Sequence, residues 1–249
     1  MMLVVEVEKV KNKCKVLLII PAYNEEENII NTVNEIYEYN KKNKTQYDVI
    51  VINDGSTDKT KELLELNNVP HINLIHNLGI GGAVQTGYKY ALENNYDIAI
   101  QFDGDGQHDV RYVKTLCEPL IDKNASMVIG SRFIDKNTDT FKSSMARRMG
   151  INIISKVIKL KTGKKIYDTT SGFRAVNKDI IKLFANKYPI EYPEPISTVE
   201  VISKGYIVLE KQVEMKERMG GVSSITSWKT IYYMINVIIS MLIVERKVK

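Results

Sequence analysis

The chain predicts an α/β fold with a mostly parallel central sheet covered by helices on both faces. Three observations lead there. Short apolar runs recur with helical or loop segments between them, as in repeated strand and helix units. The runs are continuous rather than alternating, which suits strands buried on both sides. Acidic, amide and glycine residues then collect directly after four of the runs, where open α/β sheets bind their ligands. At 249 residues, with 44% hydrophobic and 26% charged residues, the chain can build one large domain or two small ones, and its composition argues against disorder.

Met1 to Lys15 carries Glu6, Glu8, Lys9, Lys11 and Lys13 among its valines, so no secretory signal is read there and a cytoplasmic location is expected. Val16 to Ile20 forms the first strand, and Pro21-Ala22-Tyr23-Asn24-Glu25 follows it. Glu26 to Tyr39 has apolar residues near helical spacing. The second strand, Val49 to Ile52, runs into Asn53-Asp54-Gly55-Ser56, and Asp58 reads as the cap of a helix through Leu66. The third, Ile72 to Ile75, precedes Asn77-Leu78-Gly79 and a helix over Gly81 to Leu92. The fourth, Ile98 to Phe102, opens onto Asp103-Gly104-Asp105-Gly106-Gln107, and Met127 to Ile129 is the fifth. No repeat or low-complexity linker interrupts the series.

Ser144 to Leu160 reads as a helix with Met145, Met149, Ile153, Val157 and Leu160 near one face and Arg147, Arg148, Lys156 and Lys159 largely elsewhere. Phe141 to Lys165 holds basic residues and no acidic one. A basic amphipathic helix can lie in a membrane interface, and it can equally pack one face on a core with its cations in water. A further helix is expected from Ile196 to Lys204. In the tail, Trp228, Tyr232 and Tyr233 precede an apolar stretch to Val244, followed by Arg246, Lys247 and Lys249. Ile231 to Val244 includes Asn236 and Ser240 and falls short of the roughly 20 residues needed to span a bilayer. It is expected to lie on a membrane surface or against a partner.

The two carboxylates of Asp103 and Asp105 can point the same way at a strand end, and Gly104 and Gly106 let the backbone turn around a ligand. Hard cations such as Mg²⁺ or Mn²⁺ take oxygen ligands and share them with substrate phosphates, so a nucleoside diphosphate is the leading ligand class. The same string is also an ordinary acidic turn, and the surrounding motifs must decide. Cys14 and Cys117 lack metal-ligand spacing and suggest neither zinc nor a disulfide framework. A formal charge of +5 is too mild to argue for nucleic acid.

In order along the chain, PAYNE, NDGSTD, NLGIGGA, DGDGQH, GSRF, DTTSGFR and KERMGGVSS resemble the inverting family 2 glycosyltransferases. The likeness runs from about Val16 to Ser224 and is strongest to the branch that loads sugars onto polyprenyl phosphates. It implies the GT-A fold, a Rossmann-like architecture, with residues 1–224 as the catalytic domain, its first ~14 an extension, and 225–249 as an apolar and basic tail. Pro21, Ala22, Tyr23, Glu25 and Asp54 would bind the nucleoside of the donor, with Gly79 beside the following helix. Asn53 stands where many relatives have Asp. Asp54 also suits an Asx turn or helix cap. Asp103, Asp105 and Gln107 would surround the metal and diphosphate, with Gly104 among the donor contacts and Asp105 a direct ligand. His108 is read as a neighbour of the metal ligands, and His71 and His76 as structural.

A lipid phosphate is already anionic and needs positioning and charge compensation, for which the forked arginine guanidinium is suited. The resemblance places Arg132, Arg147 or Arg148, and Arg218 at phosphate contacts. Asp168, Ser171 and Gly172 would shape the acceptor side, and Arg174 would be a structural partner. A sugar hydroxyl acceptor would instead need a general base, and Glu194 in Tyr192-Pro193-Glu194-Pro195 is then the candidate. That carboxylate also suits a helix entry. The expected activity is transfer of a sugar from a nucleotide sugar, a UDP-sugar favoured and GDP-mannose the alternative, to a polyprenyl phosphate at the cytoplasmic membrane face. Expected partners are the donor, the lipid acceptor, the membrane surface and a small membrane protein, with no nucleic acid, and an oligomer is allowed. The rivals are a hydroxyl-acceptor transferase of surface polysaccharide synthesis and an inactive nucleotide-sugar-binding module.

Overall fold

A computed structural model describes residues 14–135, 145–216 and 227–244; side chains at 145–147 and 227–234 also fall outside the description. Seven strands form one sheet: β1 (Val16–Ala22), β2 (Tyr47–Asn53), β3 (His71–Asn73), β4 (Ile98–Gln101), β5 (Met127–Ser131), β6 (Arg174–Asn177) and β7 (Val208–Gln212). Their spatial order is β3-β2-β1-β4-β6-β5-β7. β1 pairs parallel with β2 and β4, β2 with β3, and β5 with β7, while β6 alone runs antiparallel, against both β4 and β5. The expectation of a mostly parallel sheet holds.

The described residues hold eight α-helices, the last of them after β7: α1 (Ile29–Asn43), α2 (Thr60–Leu66), α3 (Gly79–Glu93), α4 (Val113–Ile121), α5 (Met145–Thr162), α6 (Lys178–Asn186), α7 (Pro193–Ser203) and α8 (Ser227–Ile243). Successive strand residues point to opposite faces, and each face has its own core. Leu17, Ile19, Ile50 and Ile52 pack with Val84 and Tyr88 of α3, Phe184 of α6 and Val199 of α7. Leu18, Ile20, Val49 and Val51 pack with Val33 and Ile36 of α1, Leu64 of α2 and Leu116 of α4. Both faces are therefore covered, which is why the strands read as unbroken apolar runs.

Four elements escape that reading. β6 is four residues long and begins with Arg174, which is fully buried, so it offers no apolar run. β7 has only Val208 fully buried and is half-exposed beyond it, as suits the last strand in the sheet order. α6 and α4 lie between motifs; α6 is announced only by Asn177, whose side chain accepts the Ile180 N–H at 3.2 Å. Boundaries also move. α1 begins at Ile29 rather than Glu26, because Glu25 O accepts the N–H groups of Asn28 and Ile29 in a turn. α7 begins three residues before Ile196, with Pro193 in its first turn, where a missing N–H costs nothing. Asp58 stands one residue before the N-cap position, Lys59, and accepts the Thr60 N–H at 2.9 Å at the first residue of α2.

The apolar face expected on α5 is not the face that meets the core. Ile151, Ile154 and Ile158 are buried, whereas Met149, Ile153 and Leu160 are exposed, Leu160 to 84%. α8 repeats the arrangement: Val237 and Met241 are buried while Ile235, Ile239, Leu242 and Ile243 are exposed. The two helices pack together and enclose an open groove of about 520 Å³ lined by Val157, Leu160, Lys161, Ile238, Leu242 and Val244. No helix among the described residues is long and apolar enough to cross a membrane.

Candidate active site

The carboxyl ends of β1, β2 and β4, the loop after β3 and the entry to β6 share one rim. Its first half is a laced pair of loops. Asn24, at φ 55°, accepts the Thr57 N–H at 2.8 Å through Oδ1, and Ser56 Oγ accepts the Asn24 N–H at 3.0 Å. Thr60 Oγ1 accepts the Glu25 N–H at 2.9 Å. Pro21 and Ala22 end β1, and Tyr23 stands out from the rim, 48% exposed.

Asp54 is buried and joins three elements. Its N–H donates to Ala22 O at 2.8 Å, and its Oδ1 accepts the Leu78 N–H at 2.7 Å at the start of α3. Burial pushes its carboxyl up, against the opposing backbone N–H groups of Leu78 and Gly79. Asn53 is committed inward as well, with Nδ2 donating to Asn73 Oδ1 at 2.7 Å and Oδ1 accepting the Ser56 N–H at 3.1 Å. Gly79 has φ +76° and open space where a Cβ would sit, so its backbone conformation is what calls for glycine. Gly81 differs: a Cβ there would lie 2.3 Å from the carbonyl oxygens of Pro189 and Ile190.

The acidic loop follows β4. Asp105 Oδ1 accepts the Gln107 N–H at 3.1 Å, Gly106 turns at φ +77°, and Thr32 Oγ1 donates to Gly104 O at 3.0 Å, tying the loop to α1. Behind it, His108 is buried with its ring stacked on Phe173, centroids 4.5 Å apart, and edge-on to Phe102. Burial pulls its pKa down to about 3, so the imidazole is neutral. Nδ1 accepts the Asp103 N–H at 2.9 Å, and Nε2 lies 3.3 Å from Asp103 Oδ2. His108 is thus a neighbour of the acidic cluster, as expected.

The loop entering β6 closes on this cluster. A Cβ on Gly172 would stand 2.8 Å from Gln101 Nε2 and 3.2 Å from Asp103 Oδ1, so glycine lets the chain pass directly over the carboxylate. Gln101 Oε1 is buried with no partner among the described residues. Glu194 is close by: burial pushes its carboxyl up, Arg174 opposes this, and Asp103 adds to it. Arg174 is the hub beneath, as a structural partner should be. Its Nε and Nη2 donate to Ser171 O at 3.2 and 2.7 Å, and its Nη1 donates to Glu194 O at 3.1 Å and Ser197 Oγ at 3.0 Å.

Asp103, Asp105 and Gln107 offer two carboxylates and an amide, a donor set that suits a hard divalent cation completed by substrate phosphates. No group of three His, Cys, Asp or Glu side chains able to hold a metal occurs among the described residues. The chemistry of this donor set, beside the orphaned oxygen of Gln101 two residues before Asp103, fits such an ion.

Arg132, expected at a phosphate contact, has a protein partner of its own. It is buried in a bidentate pair with Asp168, Nε to Oδ2 at 2.7 Å and Nη2 to Oδ1 at 2.8 Å, and Nη2 also donates to Thr170 Oγ1 at 3.3 Å. Glu210 of β7 then accepts the N–H groups of Tyr167 and Asp168, each at 2.8 Å. Sequence reasoning missed Glu210, and no motif marks it. Arg148 is exposed on α5, whereas the Arg147 side chain and Arg218 lie outside the described residues.

The sheet order and the acidic rim define a GT-A glycosyltransferase. The family model described as Glycosyl transferase family 2 matches residues 17–184, and the chain belongs to that family. The UDP-N-acetylglucosamine–dolichyl-phosphate N-acetylglucosaminyltransferase of Methanococcus voltae is 35% identical over 207 residues, covering 76% of this chain and 80% of the relative. The polyprenol monophosphomannose synthase of Mycolicibacterium smegmatis is 26% identical over 225 residues, covering 85% and 81%. Among solved structures, glucosyl-3-phosphoglycerate synthase from Mycobacterium tuberculosis, in complex with Mn²⁺, uridine diphosphate and phosphoglyceric acid, aligns with a TM-score of 0.66 at 16% identity. That alignment covers 92% of this chain and 77% of the other. The enzyme is a glycosyltransferase.

Proposed function

We propose that this enzyme moves a sugar from a nucleotide sugar to a polyprenyl phosphate, inverting the anomeric carbon, at a membrane surface. The carrying observation is the passage of the loop through Ser171 and Gly172 over Asp103, which sets the acceptor-side segment against the diphosphate-binding carboxylates. The two named relatives act on dolichyl or polyprenol carriers, which supports a lipid phosphate acceptor. A UDP-sugar is the favoured donor, with GDP-mannose as the alternative.

Asp103, Asp105 and Gln107 would hold Mg²⁺ or Mn²⁺, which supplies charge neutralisation for the departing diphosphate. Pro21, Ala22, Tyr23 and Glu25 frame the nucleoside, and Asp54 holds the frame to α3. The acceptor phosphate oxygen is already negative and attacks from the side opposite the leaving group. It needs no proton removed, and Arg147 or Arg148, together with Arg218, would balance its charge. The Arg132–Asp168 pair fixes the loop that positions it.

The exposed stripes on α5 and α8, flanked by Arg148, Lys156, Lys159 and Lys161, fit an anionic bilayer, where each nearby cation contributes about 1 kcal/mol. We place the enzyme on the cytoplasmic face. Incubating purified protein with divalent metal, a panel of nucleotide sugars and polyprenyl phosphate should yield sugar-lipid; transfer solely to a hydroxylated glycan would overturn the acceptor assignment. The second reading, a hydroxyl acceptor with Glu194 as base, draws on the nearness of that carboxyl to Asp103.

A further inference from the structure

We infer that His108 is a positioning residue that holds Asp103 in place for metal and diphosphate binding. The inference rests on the metal reading above. His108 bonds the Asp103 main chain and lies against its side chain. Nδ1 faces the Asp103 N–H at 2.9 Å and must accept that hydrogen, which leaves the ring proton on Nε2. Nε2 lies 3.3 Å from Oδ2, a contact without hydrogen-bond alignment. The main-chain bond fixes where the Asp103 side chain starts, and the ring beside Oδ2 limits the room in which it can turn.

The ring itself is held. It lies parallel to Phe173, at an interplanar angle of 16°, and Phe102 meets it at 83°. Phe102 and Phe173 also meet each other edge to face, with centroids 5.6 Å apart. Phe102 directly precedes Asp103 and Phe173 directly follows Gly172, so the aromatic stack joins the two loops whose approach defines the site. His108 is 2% exposed, and with Nδ1 bonded to the Asp103 N–H it acts through that residue. Groups that orient metal ligands in this way commonly change metal affinity by about 10–100-fold when removed.

The test compares Mn²⁺ binding, in the presence of UDP and without turnover, by electron paramagnetic resonance or calorimetry on the full chain. His108→Phe keeps the ring stack and removes the acceptor for the Asp103 N–H; Mn²⁺ affinity should fall about 10–100-fold. His108→Asn restores an acceptor at the reach of Nδ1 and should recover part of the loss, which a purely structural role for the ring would not produce. Binding in folded His108→Phe equal to wild type, or no recovery in His108→Asn relative to His108→Phe, would overturn the inference. Should His108→Phe fail to fold, Mn²⁺ binding by His108→Asn and His108→Gln decides: Asn tighter than Gln supports the Nδ1 contact, and equal affinity or the reverse order overturns it. Wild-type protein that binds no Mn²⁺ with UDP would instead bring down the metal reading itself.

Discussion

At the scale of single residues, the site separates groups that would touch substrate from groups that hold them. Asp105 belongs to the first kind, and Asp105→Ala should lower kcat by at least about 10²-fold with little change in melting temperature, measured by sugar-lipid formation beside a thermal scan. Arg132 belongs to the second. Its removal leaves Asp168 buried without its guanidinium partner, so Arg132→Ala should cost about 3–5 kcal/mol in denaturant unfolding. Glu194 divides the two acceptor readings: with a lipid phosphate acceptor, Glu194→Gln keeps kcat within a few-fold, whereas loss of a general base would cost about 10²–10⁴-fold. The residues after each strand were legible because glycine, amide and acid clusters at strand ends are unusual chemistry. Their partners were not. Glu210 and Gln101 act across 42 residues or more, or across paired strands, and nothing local marks such contacts.

At the scale of elements, long uniform strands and helices announce themselves, and short mixed ones depend on their neighbours. β1 and β2 are visible because both faces are covered; β6 is invisible because its leading residue is an arginine whose partners lie in α7 and the loop before it. The periodicity of α5 gave a real helix and the wrong inner face, since two apolar stripes compete and only the fold selects Ile151, Ile154 and Ile158. The start of α3 is sterically exacting: Gly81→Ala presses a methyl group against two backbone carbonyls and should cost about 1–3 kcal/mol, read from denaturant midpoints. The tie between the loops that lead into α1 and α2 is sensitive to acid. Burial raises the Asp58 carboxyl, but hydrogen bonds from Thr60 and the Glu26 N–H outweigh it and hold its pKa below the ordinary 3.8. A depressed folded pKa stabilises above the unfolded value and loses that stability as pH falls through the folded one. The stability gap between wild type and Asp58→Asn should therefore narrow below about pH 4, as followed by unfolding curves across that range.

At the scale of the whole molecule, the proposed membrane contact and the acidic rim occupy different parts of one body, and they should separate experimentally. Leu160→Asp, on the exposed stripe of α5, should weaken sedimentation with anionic vesicles while leaving the melting-temperature rise on adding UDP and Mn²⁺ intact. The single reversed strand has a reach beyond its own pairing. Because β6 travels against β4, the segment delivering the chain to Arg174 arrives beside Gln101, at the edge where Asp103 emerges. Turned the other way, a strand of this length would open that segment on the far margin of the sheet, roughly 13 Å off at about 3.3 Å per residue. The two segments would then lie at opposite edges of the sheet. One inversion of chain direction thus brings two stretches more than 60 residues apart in sequence into contact at one edge.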